Sequence, residues 1–249
     1  MQKRLSLLLL ICLISFSCTS PVSNCKEGGI VITFDDAYID EWYSIRDLLN
    51  TYKAKATFFV SHFDYLNEDQ IKKLMILRND GHEISLHGLR HLNAVNFVRD
   101  NSVGKYLEVE IYPAINVMKK RGICPLSFAY PFGAHTSRID NALLISFKHL
   151  RATAYTNKTK RIIDLNQIYY KCSNEKIMYG VGIDNNYKNS IEEIHKGLKK
   201  ALEKKEIIIL YAHKTSNKTG DYNTPIDRLE AILKYASENG LKFYRVSDL

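Results

Sequence analysis

The stretch Gly29–Asp36, GIVITFDD, decides the fold of this chain, because a short apolar run stops abruptly at two adjacent carboxylates. Such a run suits a parallel strand that is covered on both faces. Asp35 and Asp36 then emerge at the carboxyl edge of the sheet, where α/β folds place their chemistry. Neighbouring residues of a strand point to opposite sides, so one carboxylate can hold a metal while the other accepts a proton. Taken alone, the pair can equally cap a helix that begins at Ile39 or Asp40.

Strand-like and helical segments alternate after this stretch, which is typical of an α/β fold with a mainly parallel sheet. The first strand is not followed by the GxGxxG pattern of a dinucleotide fold, so we predict a closed barrel in preference to an open doubly wound sheet. The carboxyl ends of the strands then meet at one mouth. The further predicted strands are 56–60, 82–87, 125–131, 149–155, 168–173, 206–213 and 242–246, and the predicted helices are 40–53, 68–80, 103–121, 138–147, 190–204 and 225–239.

The amino terminus predicts export. Residues 1–17 place Lys3 and Arg4 before an apolar run that is too short to span a bilayer, as in secretory signal peptides. Cys18 follows directly in a loose match to the bacterial lipobox, so we predict that it is lipidated, with simple secretion as the alternative. Residues 18–28 then tether a single domain, 29–249. The expected location is a bacterial membrane, as a lipoprotein facing the periplasm or the cell exterior.

Charge and cysteine content exclude two classes of function. The formal net charge is +8, but the Lys and Arg residues are scattered along the predicted helices without alternating aromatic residues. This pattern predicts solvated helix surfaces and no nucleic-acid partner. The cysteines beyond position 18, Cys25, Cys124 and Cys172, lack CxxC spacing, so neither a zinc knuckle nor a dense disulfide framework is indicated. One disulfide fits this number, and its pairing cannot be read from the sequence.

The segment HEISLHGLRH, residues 82–91, supplies two candidate metal ligands. Its spacing is not that of HExxH zinc proteases, and the preceding glycine favours a strand over a helix. His87 ends that strand on its polar face. If the chain then turns into helix, His91 lies about one turn away, so both imidazoles can reach one cation. With Asp36 they form a 2-His-1-carboxylate set that suits zinc by default, with nickel, cobalt or iron as alternatives.

Such a set leaves coordination positions open for water, which distinguishes a catalytic metal from a structural one. Asp35 is the candidate base that takes a proton from this water as it attacks a carbonyl. His213 ends a strongly apolar predicted strand and is the candidate general acid for the leaving group. A histidine in that place is as readily a strand-end cap as a catalyst.

These residues resemble the NodB-like polysaccharide deacetylases, carbohydrate esterase family 4. TFDD at 33–36, H-x-x-x-H at 87–91 and Leu-x-x-His at 210–213 occur in order, and YPFG at 130–133 is similar to the family's Arg-x-Pro-aromatic-Gly. The resemblance implies a deformed (β/α)7 barrel of the NodB-homology type. It also implies the following roles: Asp35 as general base, Asp36, His87 and His91 as metal ligands, His213 as general acid, and Tyr130, Pro131 and Phe132 for substrate positioning and an oxyanion contact from the backbone N–H near Phe132.

One position departs from the family pattern. Ala129 stands where the family has an arginine that pairs with the base, which would leave Asp35 unsupported. Arg151, on the next predicted strand, can reach in from a neighbouring position. The acidic partner of His213 is not evident from the motifs, and Asp184 is our candidate.

We therefore predict a metal-dependent hydrolase that removes N- or O-acetyl groups from cell-envelope or extracellular polysaccharide. The alternative is a non-catalytic carbohydrate-binding protein on the same scaffold. Ala129 favours the alternative, whereas retention of Asp35 argues against it, because binding needs no base. The expected partners are an acetylated polysaccharide or oligosaccharide and, through the lipid anchor, a membrane. The 16 tyrosines and the lone Trp42 can stack on sugar rings or fill the core.

Overall fold

Seven parallel strands, one of which is the GIVITFDD strand, close into a barrel. The structure, a computed structural model, describes residues 25–249, so the predicted signal peptide and Cys18 lie outside the described residues. β1 (Gly29–Asp36) pairs with β2 (Ala56–Val60) on one side and with β8 (Ile207–Ala212) on the other. The ring is completed by β3 (Glu83–Leu86), β4 (Ser127–Ala129), β5 (His149–Ala154) and β7 (Ile177–Gly182). The predicted deformed (β/α)7 barrel is confirmed.

Two extra strands deform the barrel at its amino-terminal end. β11 (Lys242–Tyr244) pairs with the start of β1, so β2 takes over only from Ile32 onward. β6 (Tyr169–Tyr170) runs antiparallel to the start of β8, while β7 joins β8 only near its end. Both insertions separate barrel strands at the amino end. The carboxyl ends, which carry the polar motif residues, remain directly paired.

Helices cover the outside of the barrel with their apolar faces inward. In the longest of them, Ile194, Leu198 and Ala201 recur at helical spacing and are buried. Within residues 25–249, no helix is both long enough and apolar enough to cross a bilayer. The helices are α1 (Ile39–Ser44), α2 (Arg46–Thr51), α3 (Glu68–Asn79), α4 (Ala94–Asp100), α5 (Val103–Tyr106), α6 (Tyr112–Lys120), α7 (Ser137–Leu143), α8 (Ile191–Lys204) and α9 (Ile226–Glu238); a π-helical turn, Leu107–Ile111, joins α5 to α6, and β9 (Lys214–Thr215) pairs with β10 (Asn223–Thr224).

A buried carboxylate fastens the carboxyl-terminal turn, Val246–Asp248, to the amino-terminal end of the barrel. Glu83 accepts hydrogen bonds from the hydroxyls of Thr57 and Ser127, at 2.9 and 2.6 Å. It also accepts one from the Ser247 N–H, at 2.9 Å. These donors compensate a charge whose burial would otherwise cost several kcal/mol. The carboxyl-terminal turn therefore plugs this end, while the opposite mouth stays open.

Most predicted elements are confirmed, but the region around β7 needs correction. The strand predicted at 168–173 shrinks to Tyr169–Tyr170, and the barrel strand is Ile177–Gly182, which the sequence did not reveal. Gly180 and Gly182 weaken the strand signal of that segment. Their missing side chains make room for aromatic rings from neighbouring elements. Helix α4 was also not predicted.

A disulfide joins Cys25, ahead of β1, to Cys172, just after β6. Cys25 is buried, and Gly28 packs against the backbone of α8. Residues 25–28, the last four of the predicted tether, therefore belong to the folded domain. Within residues 25–249, Cys124 is the free cysteine, and it is exposed.

We expect Cys172→Ser to lower the free energy of unfolding by about 2–4 kcal/mol, because the cross-link restricts the unfolded chain across a separation of 147 residues. Urea unfolding followed by circular dichroism, without reductant, measures the loss. Cys124→Ser is the matched control and should unfold like the parent. Equal stability of all three proteins would contradict the disulfide.

Candidate active site

The two carboxylates at the end of β1 face different partners. Asp35 is buried, and its Oδ2 accepts a charge-assisted hydrogen bond from Nη2 of Arg151. Asp36 has a φ of +84°, outside the strand region, and its carboxylate lies near His87 and His91. The sequence suggested that the two neighbouring carboxylates face different partners. In the structure, Asp35 contacts an arginine and Asp36 lies near two histidines.

Asp36, His87 and His91 bring three donor atoms together. Oδ1 of Asp36 lies 3.2 Å from Nε2 of His91 and 3.6 Å from Nε2 of His87. All three atoms lie within 4.8 Å of one another. His87 donates its Nδ1–H to the Ala129 carbonyl oxygen at 2.9 Å, which leaves the Nε2 lone pair free. This donor set and orientation suit a divalent cation.

The electrostatics of the three residues also suit a cation. Burial lowers the pKa of His87 to about 4, so this imidazole is neutral, the form that ligates metals. Burial alone would raise the pKa of Asp36. The hydrogen bond with His91 and the fields of His87 and His213 outweigh burial and hold the pKa well below its usual range. Asp36 is therefore ionised at neutral pH.

The segment that carries His91 is a loop, which corrects the predicted helical turn. His91 has a φ of +57°. Buried Glu110, in the π-helical turn, accepts hydrogen bonds from the N–H groups of Arg90 and Leu92, at 2.9 and 3.0 Å. Since a carboxylate satisfies the backbone on both sides of His91, helical hydrogen bonds are not needed. A Cβ at Gly88 would lie 2.3 Å from Oε1 of Glu110, so glycine makes room for this clamp. Glu110 was not predicted as part of the site, because in the sequence it looks like any residue of the predicted helix 103–121.

Arg151 supplies the contact that Ala129 cannot. The two residues are register partners on β4 and β5, so the arginine enters the barrel from the adjacent strand. Arg151 is fully buried, with its guanidinium carbon 5.5 Å from the ring centre of Phe59 and 5.0 Å from that of Tyr211. The predicted reach of Arg151 to Asp35 is confirmed as a contact.

His213 and Asp184 form a second polar pair. Nδ1–H of His213 donates to Oδ2 of Asp184 at 2.7 Å, and Oδ1 accepts from the Thr224 hydroxyl at the same distance. Burial disfavours the charged ring, but the Asp184 hydrogen bond and the field of Asp35 outweigh it and raise the pKa of His213. Trp42 is buried and donates its Nε1–H to the His213 carbonyl at 2.8 Å, so it packs in the core instead of stacking on sugar.

The turn Tyr130–Gly133 presents backbone to the cavity. Phe132 has a φ of +60° and a largely exposed ring, 4.9 Å from that of His91. Its N–H has no backbone partner among residues 25–249. Pro131 is buried. Tyr130 is buried too and donates its hydroxyl to Oδ1 of Asp140 at 2.6 Å. Phe132 is therefore the member of the turn with a free backbone donor.

These groups share one cavity of about 310 Å³ at the barrel mouth. It is lined by both carboxylates, by the histidines at 87, 91 and 213 and by Arg151. Asp184 lies behind His213, outside the lining. The geometry thus joins three donor atoms that could hold a metal ion, a buried carboxylate paired with arginine and a histidine paired with aspartate.

Comparison with known proteins agrees with this arrangement. The profile of the family described as polysaccharide deacetylase matches residues 23–145. A peptidoglycan-N-acetylglucosamine deacetylase of Bacillus cereus is 37% identical over 110 residues, 43% of this chain and 48% of that protein, so the chain matches about half of its length. The chitin deacetylase of Colletotrichum lindemuthianum superposes with a TM-score of 0.61 at 14% identity, over 92% of this chain and 90% of that one. The CE4 domain of a multidomain xylanase from the hindgut metagenome of Trinervitermes trinervoides gives 0.55 at 16% identity, over 89% of each chain.

Fold and site together define a deformed (β/α)7 barrel with its polar cluster at the carboxyl mouth. The motifs and the matching profile then give the family: residues 23–145 belong to the polysaccharide deacetylases. The profile match ends before Arg151, Asp184 and His213, and the structure brings these three to the same mouth.

We expect Gly88→Ala to destabilise the His91 loop, because the new Cβ meets Glu110 at a φ of +85°. The loss should be about 1–3 kcal/mol in the free energy of unfolding, measured with urea. Gly122→Ala is the matched control, since it has a similar φ of +76° and open space around the new Cβ. Equal losses in the two variants would show that the Glu110 clamp places no demand on position 88.

Proposed function

We propose that this protein is a metal-dependent hydrolase that removes N- or O-acetyl groups from an acetylated polysaccharide. The observation that carries the proposal is the meeting of the Asp36, His87 and His91 donor set with Asp35 and His213 in one cavity. A hydrolase of this kind needs a Lewis acid, a base and an acid at one point. Relatives named as deacetylases of peptidoglycan N-acetylglucosamine and of chitin support the substrate class.

Asp36, His87 and His91 would hold the cation, zinc by default, with nickel, cobalt or iron as alternatives. When bound, such a cation supplies Lewis-acid chemistry, because it acidifies coordinated water and polarises a carbonyl oxygen. The neutral His87 ring and the ionised Asp36 are ready for that role without prior loss of a proton.

Asp35 is the proposed base. Its Oδ1 is buried and has no hydrogen-bond partner among the described residues, while Oδ2 is held by Arg151. The Arg151 guanidinium thus fixes Oδ2, and Oδ1 can accept the proton of the attacking water. Because Arg151 is itself held between the rings of Phe59 and Tyr211, it fixes the orientation of the carboxylate.

His213 is the proposed acid. With Nδ1–H bound to Asp184, the Nε2–H is the proton that can pass to the departing amine or alcohol of the sugar. The raised pKa of His213 favours the ring form that carries this proton. The Phe132 N–H is the proposed donor to the oxyanion that develops on the acetyl group.

A carbohydrate-binding protein without activity is the alternative function. Ala129 favoured it, because the base seemed to have lost its arginine. The contact between Arg151 and Asp35 removes this argument for the alternative. A binding protein has no use for a buried carboxylate whose second oxygen is free, so the hydrolase is the better account.

Asp35→Asn should keep its metal and lose about 10²–10⁴ of the rate of acetate release, because the amide keeps the shape of the side chain but accepts no proton. His91→Ala should lose both metal and activity, because it removes a ligand. Acetate release from acetylated oligosaccharides and metal analysis of the same preparations check both variants. A fully active Asp35→Asn overturns the base assignment, and a metal-free one makes Asp35 a ligand.

We also propose that acylated Cys18 holds the domain at the outer face of a bacterial membrane. The support is the sequence alone, an apolar run that ends at this cysteine. Lasting attachment normally requires two lipid signals or chains. Cys18→Ser should therefore move the protein from the membrane to the soluble fraction of a bacterial host. Cys124→Ser, which alters an exposed thiol, is the control and should stay with the membrane. Recovery of Cys18→Ser in the membrane fraction would contradict the lipid anchor.

A further inference from the structure

One wall of the cavity consists of tyrosines that the proposed reaction does not use. We call Tyr155, Tyr187 and Tyr222 the tyrosine wall. Their rings follow one another, with centres 6.3 Å apart between Tyr155 and Tyr187 and 6.4 Å apart between Tyr187 and Tyr222. All three line the cavity of the candidate active site. Tyr155 and Tyr222 remain 54% and 51% exposed, so about half of each residue is available to a ligand.

The barrel holds this wall firmly. The Tyr187 ring lies against the backbone of Gly182, where a Cβ would come within 2.2 Å of it. The Tyr155 hydroxyl accepts a hydrogen bond from the Thr153 hydroxyl at 2.9 Å. Tyr222 packs its ring edge-on against His213, with 5.1 Å between ring centres. An aromatic surface fixed in this way loses little freedom when a ligand binds.

The described residues of the cavity wall offer no free lysine or arginine to a substrate. Among residues 25–249, Arg151 is the one lysine or arginine that lines it, and its charge is paired with Asp35. Lys214 is next in sequence to His213 and is paired with Glu41 at 3.1 Å. An anionic sugar would therefore find no free lysine or arginine partner among the described residues of the cavity wall, whereas an uncharged sugar needs none.

A second depression, of about 320 Å³, continues the cleft past Asp36 and His91. It shares Tyr38 with the main cavity and is also lined by Ser61 and His62. The donor set for the metal thus lies between two hollows, one aromatic and one polar. This shape suits a chain that crosses the site more than a single sugar that ends there.

We propose that the tyrosine wall binds the pyranose ring next to the acetylated one and that the site selects an uncharged acetylated glycan chain. The inference rests on the proposed function and names its substrate class. The apolar C–H face of a pyranose packs on an aromatic ring, while the phenol hydroxyls exchange hydrogen bonds with the sugar hydroxyls. No charge is needed for either contact.

Tyr155→Ala in the full-length, metal-loaded protein is the first test, because this residue has no ring contact with His213. The ratio of kcat/KM for a soluble N-acetylglucosamine oligomer to kcat/KM for p-nitrophenyl acetate should fall about tenfold, the factor that corresponds to 1.4 kcal/mol. The loss should appear in KM for the oligomer. Tyr155→Phe keeps the ring and should restore most of the ratio. Tyr112→Ala is the matched control, because this tyrosine is 47% exposed on α6 and does not line the cavity. Its ratio should equal that of the parent.

A parent-like ratio in both Tyr155→Ala and Tyr222→Ala would overturn the tyrosine wall. The charge selection is tested on the parent protein with an O-acetylated xylo-oligosaccharide and an O-acetylated uronate oligomer. The uronate should be turned over at least about tenfold less efficiently, and equal efficiencies would overturn the selection. Failure of the parent to release acetate from every compound, the small ester included, would overturn the proposed function instead.

Discussion

The ion pair of Asp35 and Arg151 is the interaction on which the rest of the site depends. Two opposite charges inside a barrel are stable only when they meet, and either one alone would be strongly destabilising. The pair fixes the direction of Asp35 and so leaves Asp36, one residue on, to turn the other way. It also shows that a guanidinium can come from β5 where the related motif places it on β4, because adjacent strand ends of a barrel converge on the same mouth. What matters for the site is where the guanidinium lies, and not which strand carries the arginine.

Four described residues that line the main cavity, glycine aside, have a left-handed backbone: Asp36, His91, Phe132 and Tyr222. Each such residue costs of order 1 kcal/mol or more and persists only where its surroundings hold it. Asp36 is held by the hydrogen bond from the Ser61 N–H to its carbonyl at 2.8 Å, and His91 by the Glu110 clamp. Phe132 is followed by Gly133, whose own positive φ lets the turn close against Thr153. At these positions of the site, the strained backbone lets a ligand, a carboxylate or a backbone donor point into the cavity.

The sequence predicted those parts of the site that depend on local spacing and family order. Asp36, His87 and His91 are of this kind, because their motifs stand at strand ends and the fold brings strand ends together. Arg151 and Asp184 were only candidates, since their contacts depend on strand register and on loop paths that no short pattern encodes. Glu110 gave no signal at all: a buried carboxylate in a π-helical turn looks like any glutamate on a helix. Strand β7 was missed because Gly180 and Gly182 lower its strand propensity, although packing against Tyr211 and Tyr187 requires them.

The carboxyl-terminal turn that plugs the closed end of the barrel delays folding relative to synthesis. β1 is made before the other strands of the barrel, but three of its residues pair with β11, and Glu83 finds its last partner in Ser247. A chain that leaves the ribosome amino end first therefore cannot finish its barrel until Ser247 has been made, because Glu83 and Ser247 are 164 residues apart. For the export that we propose, this arrangement would leave time for a machinery that accepts only unfolded chains, since the architecture itself delays closure until β11 and Ser247 are available.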